Sequence, residues 1–192
     1  MTHYKALQKI QKSAFTLKDA NKLGVSSRML TYLVKKEKLV RISQGVYSLP
    51  ENLSIDTVDL IYEALLSVPK GIIGYQTAIH LYDLSDDPAG LIHIVVPYDK
   101  TPKVKLEDVK FHRTRTPMRS IQTQTLKGLK VTSLEQTLVD LLKSKAPLGV
   151  LLEIIARARK KGMLIQIDKL QTIADRQRAK AKIRPLLDAL IT

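Results

Sequence analysis

The 192-residue sequence contains no cysteine and no tryptophan, and aromatic residues make up only 5% of it. The absence of cysteine excludes disulfide bonds, thiolate zinc sites and cysteine nucleophiles. No stretch approaches the ~20 consecutive apolar residues that a transmembrane helix needs. The opening MTHYKALQKIQKSA lacks the apolar core and the cleavage site of a secretory signal. We therefore expect a cytoplasmic protein with no membrane span.

Acidic residues are scarce at both ends of the chain, which carries a formal net charge of +14. Residues 1–50 hold ten lysines and arginines against two acidic residues, and residues 157–192 hold ten against three. Residues 51–156 are nearly neutral, with twelve basic and thirteen acidic residues. A surface that is only solubilising would spread its charge evenly, whereas a basic segment attracts polyanions. The two basic ends therefore predict contact with nucleic acid.

A short amphipathic helix is predicted within residues 3–13, and two further helices in FTLKDANKLGVSSRMLTYLVKKEKLV, residues 15–40. Thr16 can cap the first of these two by accepting a hydrogen bond from the backbone N–H of Asp19. Gly24 can adopt the left-handed conformation that ends a helix, and Ser26 is placed to cap the next one. Helix, glycine turn and helix in this order form a helix-turn-helix pattern.

The second helix of this pair is amphipathic in a way that suits a DNA recognition helix. Its apolar stripe comprises Met29, Leu30, Leu33 and Val34. The opposite face presents Arg28, Thr31, Tyr32 and Lys35, which project together where base edges would lie. Lys36 and Lys38 follow and suit phosphate groups. The alternative is an ordinary solvated helix face.

Two β-prone runs, LVRIS and VYSL, flank Gln44-Gly45, where glycine supplies the positive φ of a tight hairpin turn. A lone hairpin is marginal in water, so it must pack on the preceding helices. These elements predict a winged helix over residues 1–50, with ENLSID as a linker. Arg41, Ser43 and Gln44 lie at or near the wing tip, where they could reach the DNA backbone or minor groove.

The rest of the chain predicts a mixed α/β domain over residues 54–192, so that the fold class is α+β. Helices are predicted in IDTVDLIYEALLSVP, YQTAIHLYDL and VTSLEQTLVDLLK, the last with Ser133 and Gln136 as a capping box. LIHIVVP, VKFHRTR and the stretch 121–126 read as strands. PLGVLLEIIARARKKG is a helix that Pro147 begins and Gly162 ends, and two short helices follow, the last from about Pro185.

The tail carries a second set of basic side chains: Arg157, Arg159, Lys160, Lys161, Arg176, Arg178, Lys180, Lys182 and Arg184. One interpretation is a solvated helical surface. The other is a second contact surface for nucleic acid or for an acidic partner.

Three blocks of the sequence resemble the AbiEi family of antitoxins and transcriptional regulators: LGVSSRMLTYLVKKEKLVRISQGVYSLP, GYQTAIHLYDL and VTSLEQTLVDLL. The resemblance implies repression of its own operon, through a winged helix that binds inverted repeats in double-stranded DNA. It also implies that the C-terminal domain counteracts an AbiEii-type nucleotidyltransferase toxin in phage defence, without a stable complex. The DNA-contact positions carried over are Ser27, Arg28, Thr31, Tyr32, Lys35, Arg41 and Gln44. Asp140 belongs to the third block, where helix packing or capping is at least as reasonable as chemistry.

The sequence also contains residues that would suit other classes of function. Asp99 with Asp108-Val109-Lys110 loosely fits the carboxylates and lysine of a metal-dependent nuclease. His80, His93 and His112 have no metal-ligand spacing, and His93 reads as a core residue. No catalytic constellation is found, so we expect neither an enzyme nor a cofactor. A stand-alone winged-helix regulator without a toxin stays open, as does the oligomeric state.

Overall fold

The computed structural model describes residues 2–53, 56–68, 70–86, 90–99 and 108–191. The chain divides into two compact units, of which the first takes the described chain up to residue 68 and the second begins at residue 70. Helices and sheets occur in both units, which confirms the mixed α/β class. None of the helices in the described ranges is both long and apolar enough to cross a membrane.

The first unit contains the predicted pair of helices around the glycine turn. Its helices are α1 (Thr2–Leu7), α2 (Leu17–Lys22), α3 (Ser27–Lys35) and α4 (Thr57–Leu66). Thr16 and Asp19 cap α2 reciprocally, and the Ser26 hydroxyl accepts a hydrogen bond from the N–H of Met29 at the start of α3. Gly24 has φ +74° between the two helices. The caps and the turn are confirmed as predicted.

Helix α1 is shorter than the predicted span of residues 3–13, because it ends at Leu7. The chain leaves the helix through tighter turns, in which the N–H of Ile10 donates to the carbonyl of Leu7. The Asn52 side-chain amide then binds the carbonyls of Ile10 and Lys12. Because the Asn52 amide supplies hydrogen-bond donors to these carbonyls, they do not need the backbone N–H groups that a longer helix would provide.

A three-stranded antiparallel sheet completes the helical pair. Its strands are β1 (Phe15–Thr16), β2 (Val40–Ser43) and β3 (Val46–Ser48), in the order β1-β3-β2. The β2–β3 hairpin turns at Gly45 with φ +79°, as predicted, whereas β1 was not predicted. Tyr47 pairs with Phe15 on one side and with Arg41 on the other. Phe15, Leu30 and Tyr47 share one buried core, so the hairpin packs on the helices.

Helix α4 also packs in the first unit. The Lys12 ammonium lies 5.1 Å from the centre of the Tyr62 ring, and the hydroxyls of Ser43 and Ser67 are 2.6 Å apart. The compact unit is therefore longer than the predicted module of residues 1–50, and the predicted boundary between residues 50 and 54 stays a prediction. Pro50–Asn52, at the junction of the predicted module and the predicted linker ENLSID, forms a 3₁₀ turn, while residues 54 and 55 lie outside the described ranges.

The second unit is built around a mixed five-stranded sheet. Its strands are β4 (Ile72–Ile73), β5 (Ile92–Pro97), β6 (Val109–Thr114), β7 (Thr123–Leu126) and β8 (Leu129–Thr132), in the order β6-β5-β4-β8-β7. Strands β5 and β6 are parallel, as are β4 and β8, while the β7–β8 hairpin is antiparallel. The predicted strands β5, β6 and β7 are present, and β4 and β8 are additional.

The helices of the second unit are α5 (Tyr75–Leu81), α6 (Leu134–Lys143), α7 (Leu148–Lys160), α8 (Ile167–Arg176) and α9 (Arg184–Ile191). The capping box predicted at α6 is only half made. The Ser133 hydroxyl accepts from the N–H of Gln136 at 3.2 Å. The Ser133 N–H, however, donates to the carbonyl of Gln122, and the Gln136 amide donates to Asp140. These tertiary contacts replace the second hydrogen bond of a capping box, which would run from the Ser133 N–H to the Gln136 side chain.

Candidate nucleic-acid interface

Helix α3 separates its apolar stripe from the predicted DNA-contact residues. Leu30 and Leu33 are buried in the core of the first unit. Four predicted contact residues on the other face are exposed to solvent: Arg28, Thr31, Tyr32 and Lys35. Tyr32 leaves 53% of its surface exposed, so its ring and hydroxyl are accessible to a partner. This arrangement is the one that the spacing predicted.

The hydrogen-bond partners on this face leave its cations available. The Thr31 hydroxyl donates to the carbonyl of Ser27 at 3.0 Å, so its methyl group and lone pairs remain for a partner. Among the described residues of the first unit, the one ion pair is that of Lys22 with Asp19, at 3.8 Å. Arg28, Lys35 and Lys36 therefore carry charges that no neighbouring carboxylate neutralises. Their attraction for a polyanion is not offset locally.

The hairpin residues predicted at the wing tip fall into two groups. Arg41 and Gln44 are exposed. Ser43 is half-buried, and its hydroxyl is engaged with that of Ser67. The carbonyl of Gly45 accepts from the N–H of Leu17 at 2.9 Å, which fixes the turn against the start of α2. Lys38, placed for phosphate contact, has its ammonium 5.7 Å from the centre of the Tyr4 ring.

Five of the nine residues in the second basic set form contacts within their own unit. Arg157 forms ion pairs with Asp86 at 2.7 Å and with Glu153 at 2.8 Å. These bonds raise the pKa of the Arg157 guanidinium and lower the pKa of the Asp86 carboxyl. Lys161 pairs with Asp83 in the same way.

Two further arginines of this set bind backbone carbonyls. Arg159 donates to the carbonyls of Ala189 and Leu190, at the end of α9, at 3.1 and 2.7 Å. Arg176 donates to the carbonyl of Ser120 at 2.6 Å. Lys180 lies 4.0 Å from Asp175. The members with no such contact among the described residues are Lys160, Arg178, Lys182 and Arg184. The structure therefore divides the predicted second surface into bonded and free cations.

The carboxylates of the nuclease hypothesis do not come together. In the parallel β5–β6 pair, Ile92 lies opposite Val109 and Pro97 opposite Thr114. Asp99 follows the end of β5, whereas Asp108 precedes the start of β6. With a rise of about 3.3 Å per residue, they belong to opposite ends of a strand pair about 17 Å long. Across the described ranges, no group of three or more histidine, aspartate or glutamate side chains could hold a metal ion.

Asp140 has a structural environment. Its Oδ1 accepts hydrogen bonds from the side-chain amides of Gln136 and Gln177, each at 3.0 Å. Burial raises the pKa of Asp140 to about 6, against the opposing effect of the two amides. Because Gln177 caps the end of α8, Asp140 links α6 to the basic tail.

One cluster in the second unit was missed by the sequence reasoning. His93 and His112, which have no suggestive spacing in the chain, meet in adjacent parallel strands with Nδ1 and Nε2 3.0 Å apart. Tyr75 stacks on His112 with ring centres 3.5 Å apart. The available signal was a histidine inside each of two predicted strands, but their register could not be read from the sequence.

The first unit thus presents a compact helix-and-hairpin module, and the cations on the exposed face of α3 have no carboxylate partner among the described residues. Residues 4–50 match the model of the family described as "Transcriptional regulator, AbiEi antitoxin". The resemblance predicted from the sequence is confirmed over this segment, which is similar to regulators of that family. Residues 51–192 fall outside the match. No curated protein matches the chain.

Proposed function

We propose that the protein is a DNA-binding transcriptional repressor and antitoxin. In this proposal, residues 1–50 act as a winged helix that binds inverted repeats upstream of the protein's own toxin–antitoxin operon. Helix α3 lies in the major groove and the β2–β3 hairpin grips the flanking backbone. The second unit counteracts a nucleotidyltransferase toxin of the AbiEii type without forming a stable complex.

The observation that carries the DNA-binding part is the exposed face of α3. It combines a planar guanidinium, a hydroxyl-bearing aromatic ring and a terminal lysine on one side of a helix whose other side is buried. Arg28 suits guanine, whose O6 and N7 accept two parallel hydrogen bonds. The match of residues 4–50 to the AbiEi regulators supports the same function for this segment.

A titration of the full chain against its own upstream duplex and a shuffled duplex, at two salt concentrations, tests the repressor. We expect a preference of a hundredfold or more for the upstream DNA, equivalent to about 2.7 kcal/mol. Replacing Lys35 or Lys36 by alanine should weaken both duplexes alike and reduce the salt slope by about one. Lys130→Ala is the matched control, because Lys130 is an exposed lysine of strand β8.

Equal and steeply salt-dependent binding to both duplexes would contradict the proposed repressor function. It would indicate nucleic-acid binding that does not depend on sequence. Sedimentation of the protein with the preferred duplex would show whether two copies occupy the inverted repeat. Co-expression with an adjacent nucleotidyltransferase gene tests the antitoxin separately. Rescue of growth supports it, and an absence of rescue together with specific DNA binding would favour a stand-alone regulator.

A further inference from the structure

The second unit contains a cavity of about 710 Å³ that none of the preceding functions uses. It lies between the start of α5, strands β5 and β6, and the α6–α7 turn with the following turns of α7. Cavities of roughly 300–1,000 Å³ are the size that small-molecule ligands occupy. Its lining combines apolar side chains, among them Ile79, Leu141 and Ile154, with a larger number of polar and charged ones.

Three planar side chains line this cavity together. They are Tyr75, His93 and His112. The strand register places His93 opposite Lys110, and His112 lies two residues after Lys110, so the two histidines and this lysine share one face of the sheet. Tyr75, at the start of α5, stacks on His112 with an angle of 15° between the rings. The centres of the two imidazoles are 4.9 Å apart. The result is a contiguous wall of three rings, in which Tyr75 already covers one face of His112.

The two imidazoles offer hydrogen bonds but no charge at neutral pH. Burial lowers the pKa of His93 and of His112 to about 4, and the nearby Lys110 ammonium acts in the same direction. A neutral imidazole has one N–H and one bare nitrogen. Because one hydrogen bond already joins the pair, the outer nitrogens, His93 Nε2 and His112 Nδ1, comprise one donor and one acceptor. Heterocyclic bases present the complementary pattern on their edges.

The charged groups of the lining leave an excess of positive charge. Asp86 and Glu153 are both paired with Arg157, so this trio has a net charge of −1, and Lys110 and Lys145 bring the charged lining to +1. Lys110 and Lys145 also line the cavity, and neither forms an ion pair with a described residue. An anionic group of a ligand would be attracted to these two ammonium groups.

Two lining residues are held in a conformation that L-amino acids rarely adopt. Tyr75 has φ +54° and Lys145 has φ +65°. Lys145 occupies the left-handed position that ends α6, where the N–H groups of Lys145 and Ala146 donate to the carbonyls of Leu142 and Leu141. Tyr75 follows Gly74, which packs so closely on the sheet that a Cβ there would come within 2.9 Å of Val95 Cγ2. Backbone strain of the kind present at Tyr75 occurs at ligand sites.

We propose that this cavity binds a mononucleotide, with its base against the Tyr75–His112–His93 wall and its phosphate at Lys110 and Lys145. A planar heterocycle joined to an anion satisfies both halves of the lining, which neither an uncharged aromatic ligand nor free phosphate does. The site lies wholly within the second unit, and it does not depend on the DNA-binding role proposed for the first.

Imidazole proton–carbon NMR spectra of the full chain test the site, because the protein has only four histidines. The probes are the four 5′-ribonucleoside monophosphates, ribose 5-phosphate and inorganic phosphate. We expect at least one nucleotide to shift the His93 and His112 signals saturably while those of His3 and His80 stay in place. That nucleotide should bind about tenfold or more tightly than ribose 5-phosphate, the contribution that base stacking makes.

A matched pair of variants separates this site from general attraction to a basic protein. Lys145→Gly removes a lining ammonium and relieves a positive φ, so it should fold at least as well as the parent. Lys127→Gly makes the same change at another exposed lysine, with φ +48°, outside the lining. We expect roughly tenfold weaker nucleotide binding in Lys145→Gly, the loss of one charged hydrogen bond, and no change in Lys127→Gly.

Equal affinity for nucleotides and inorganic phosphate would overturn the proposal, as would equal weakening by the two glycine variants. Shifts of all four histidine signals, or of none, at saturating nucleotide would do the same. Lys110→Ala checks the phosphate position independently and should also weaken nucleotide binding. Lys110 is an exposed strand residue, so its removal leaves the ring cluster intact.

Discussion

The two basic ends of the chain have nearly equal net charge, but their cations are used differently. In the first fifty residues, Arg28, Lys35 and Lys36 have no carboxylate partner among the described residues. In the tail, Arg157 and Lys161 pair with acids of the preceding segment, and Arg159 binds the end of α9. A count of charges treats the two ends alike. The contacts, however, distinguish the open cations of α3 from tail cations that bind acids or a helix end, although Lys160, Arg178, Lys182 and Arg184 of the tail also have no contact among the described residues.

The same contrast extends to buried polar groups. The tail is tied to α6 through Gln177, whose amide donates to Asp140 and whose carbonyl oxygen accepts from Lys143 at 2.9 Å. The basic tail is therefore anchored by a polar network that is partly buried. Substitutions at the polar contacts that anchor the tail should therefore change stability, and substitutions on α3 should change DNA binding.

Replacing Asp140 by asparagine should give the largest effect. The pKa of about 6 that Asp140 has in the folded protein lies above the ordinary aspartate value of 3.8. The stabilisation that protonation of Asp140 provides is therefore complete below about pH 4 and is lost as the pH rises through about 6. Asparagine keeps an oxygen that can accept both amide bonds but has no charge to bury. As the pH rises from 4 to 8, we expect the free energy of unfolding of the variant to increase relative to that of the parent by up to about 3 kcal/mol.

Urea unfolding of both proteins at the two pH values measures this difference. His93 and His112 also titrate over this range, with the opposite sign, but they are present in both proteins and cancel in the comparison. A difference between the variant and the parent that does not change with pH would contradict the assignment.

Arg28→Ala should have the next largest effect, and it should act on DNA specificity. Because a guanidinium that reads a base contributes more to the correct duplex than to a random one, we expect the gap between upstream and shuffled DNA to narrow by ~1–3 kcal/mol. Competition titrations at one salt concentration measure that gap. Arg178→Ala, at an exposed arginine of the tail without a described partner, is the control and should leave the gap unchanged. An unchanged gap in Arg28→Ala would show that the register of the recognition helix is wrong.

The sequence was most informative where structure depends on near neighbours. The caps at Thr16 and Ser26 and the turn at Gly45 were all predictable, because each is decided within a few residues. The two-residue strands β1 and β4 were missed, since two residues carry no periodicity. These strands form only through pairing with distant parts of the chain.

The site residues show the same limit. The exposed face of α3 followed from helical spacing, whereas the engagement of Ser43 with Ser67 depends on where α4 packs. The meeting of His93 with His112 depends on the register of two parallel strands, and the pairing of Arg157 with Asp86 joins residues far apart in the chain. Long-range contacts of this kind leave no local pattern in the sequence.

Arg159→Ala tests whether a bonded cation of the tail stabilises the fold. Its guanidinium binds two carbonyls at the end of α9, where a positive charge also interacts favourably with the helix dipole. We expect a loss of about 0.5–1 kcal/mol in the free energy of unfolding and faster amide exchange in α9. Lys160→Ala, one residue away and without a described contact, should leave both unchanged. Equal losses in the two variants would remove the distinction between bonded and free cations in the tail.

Lys161→Ala should have the smallest effect on stability and still test the ion pair. The Lys161 ammonium, through its hydrogen bond and its charge, lowers the pKa of the Asp83 carboxyl. Both groups are solvent-exposed, so water and salt screen the pair, and we expect no resolvable change in the urea midpoint. The pKa of Asp83, followed by the NMR shift of its carboxyl carbon, should nevertheless rise towards its ordinary value in the variant. An Asp83 pKa that is already ordinary in the parent would mean that Lys161 is a free cation, and the two basic ends would then differ less than the contacts indicate.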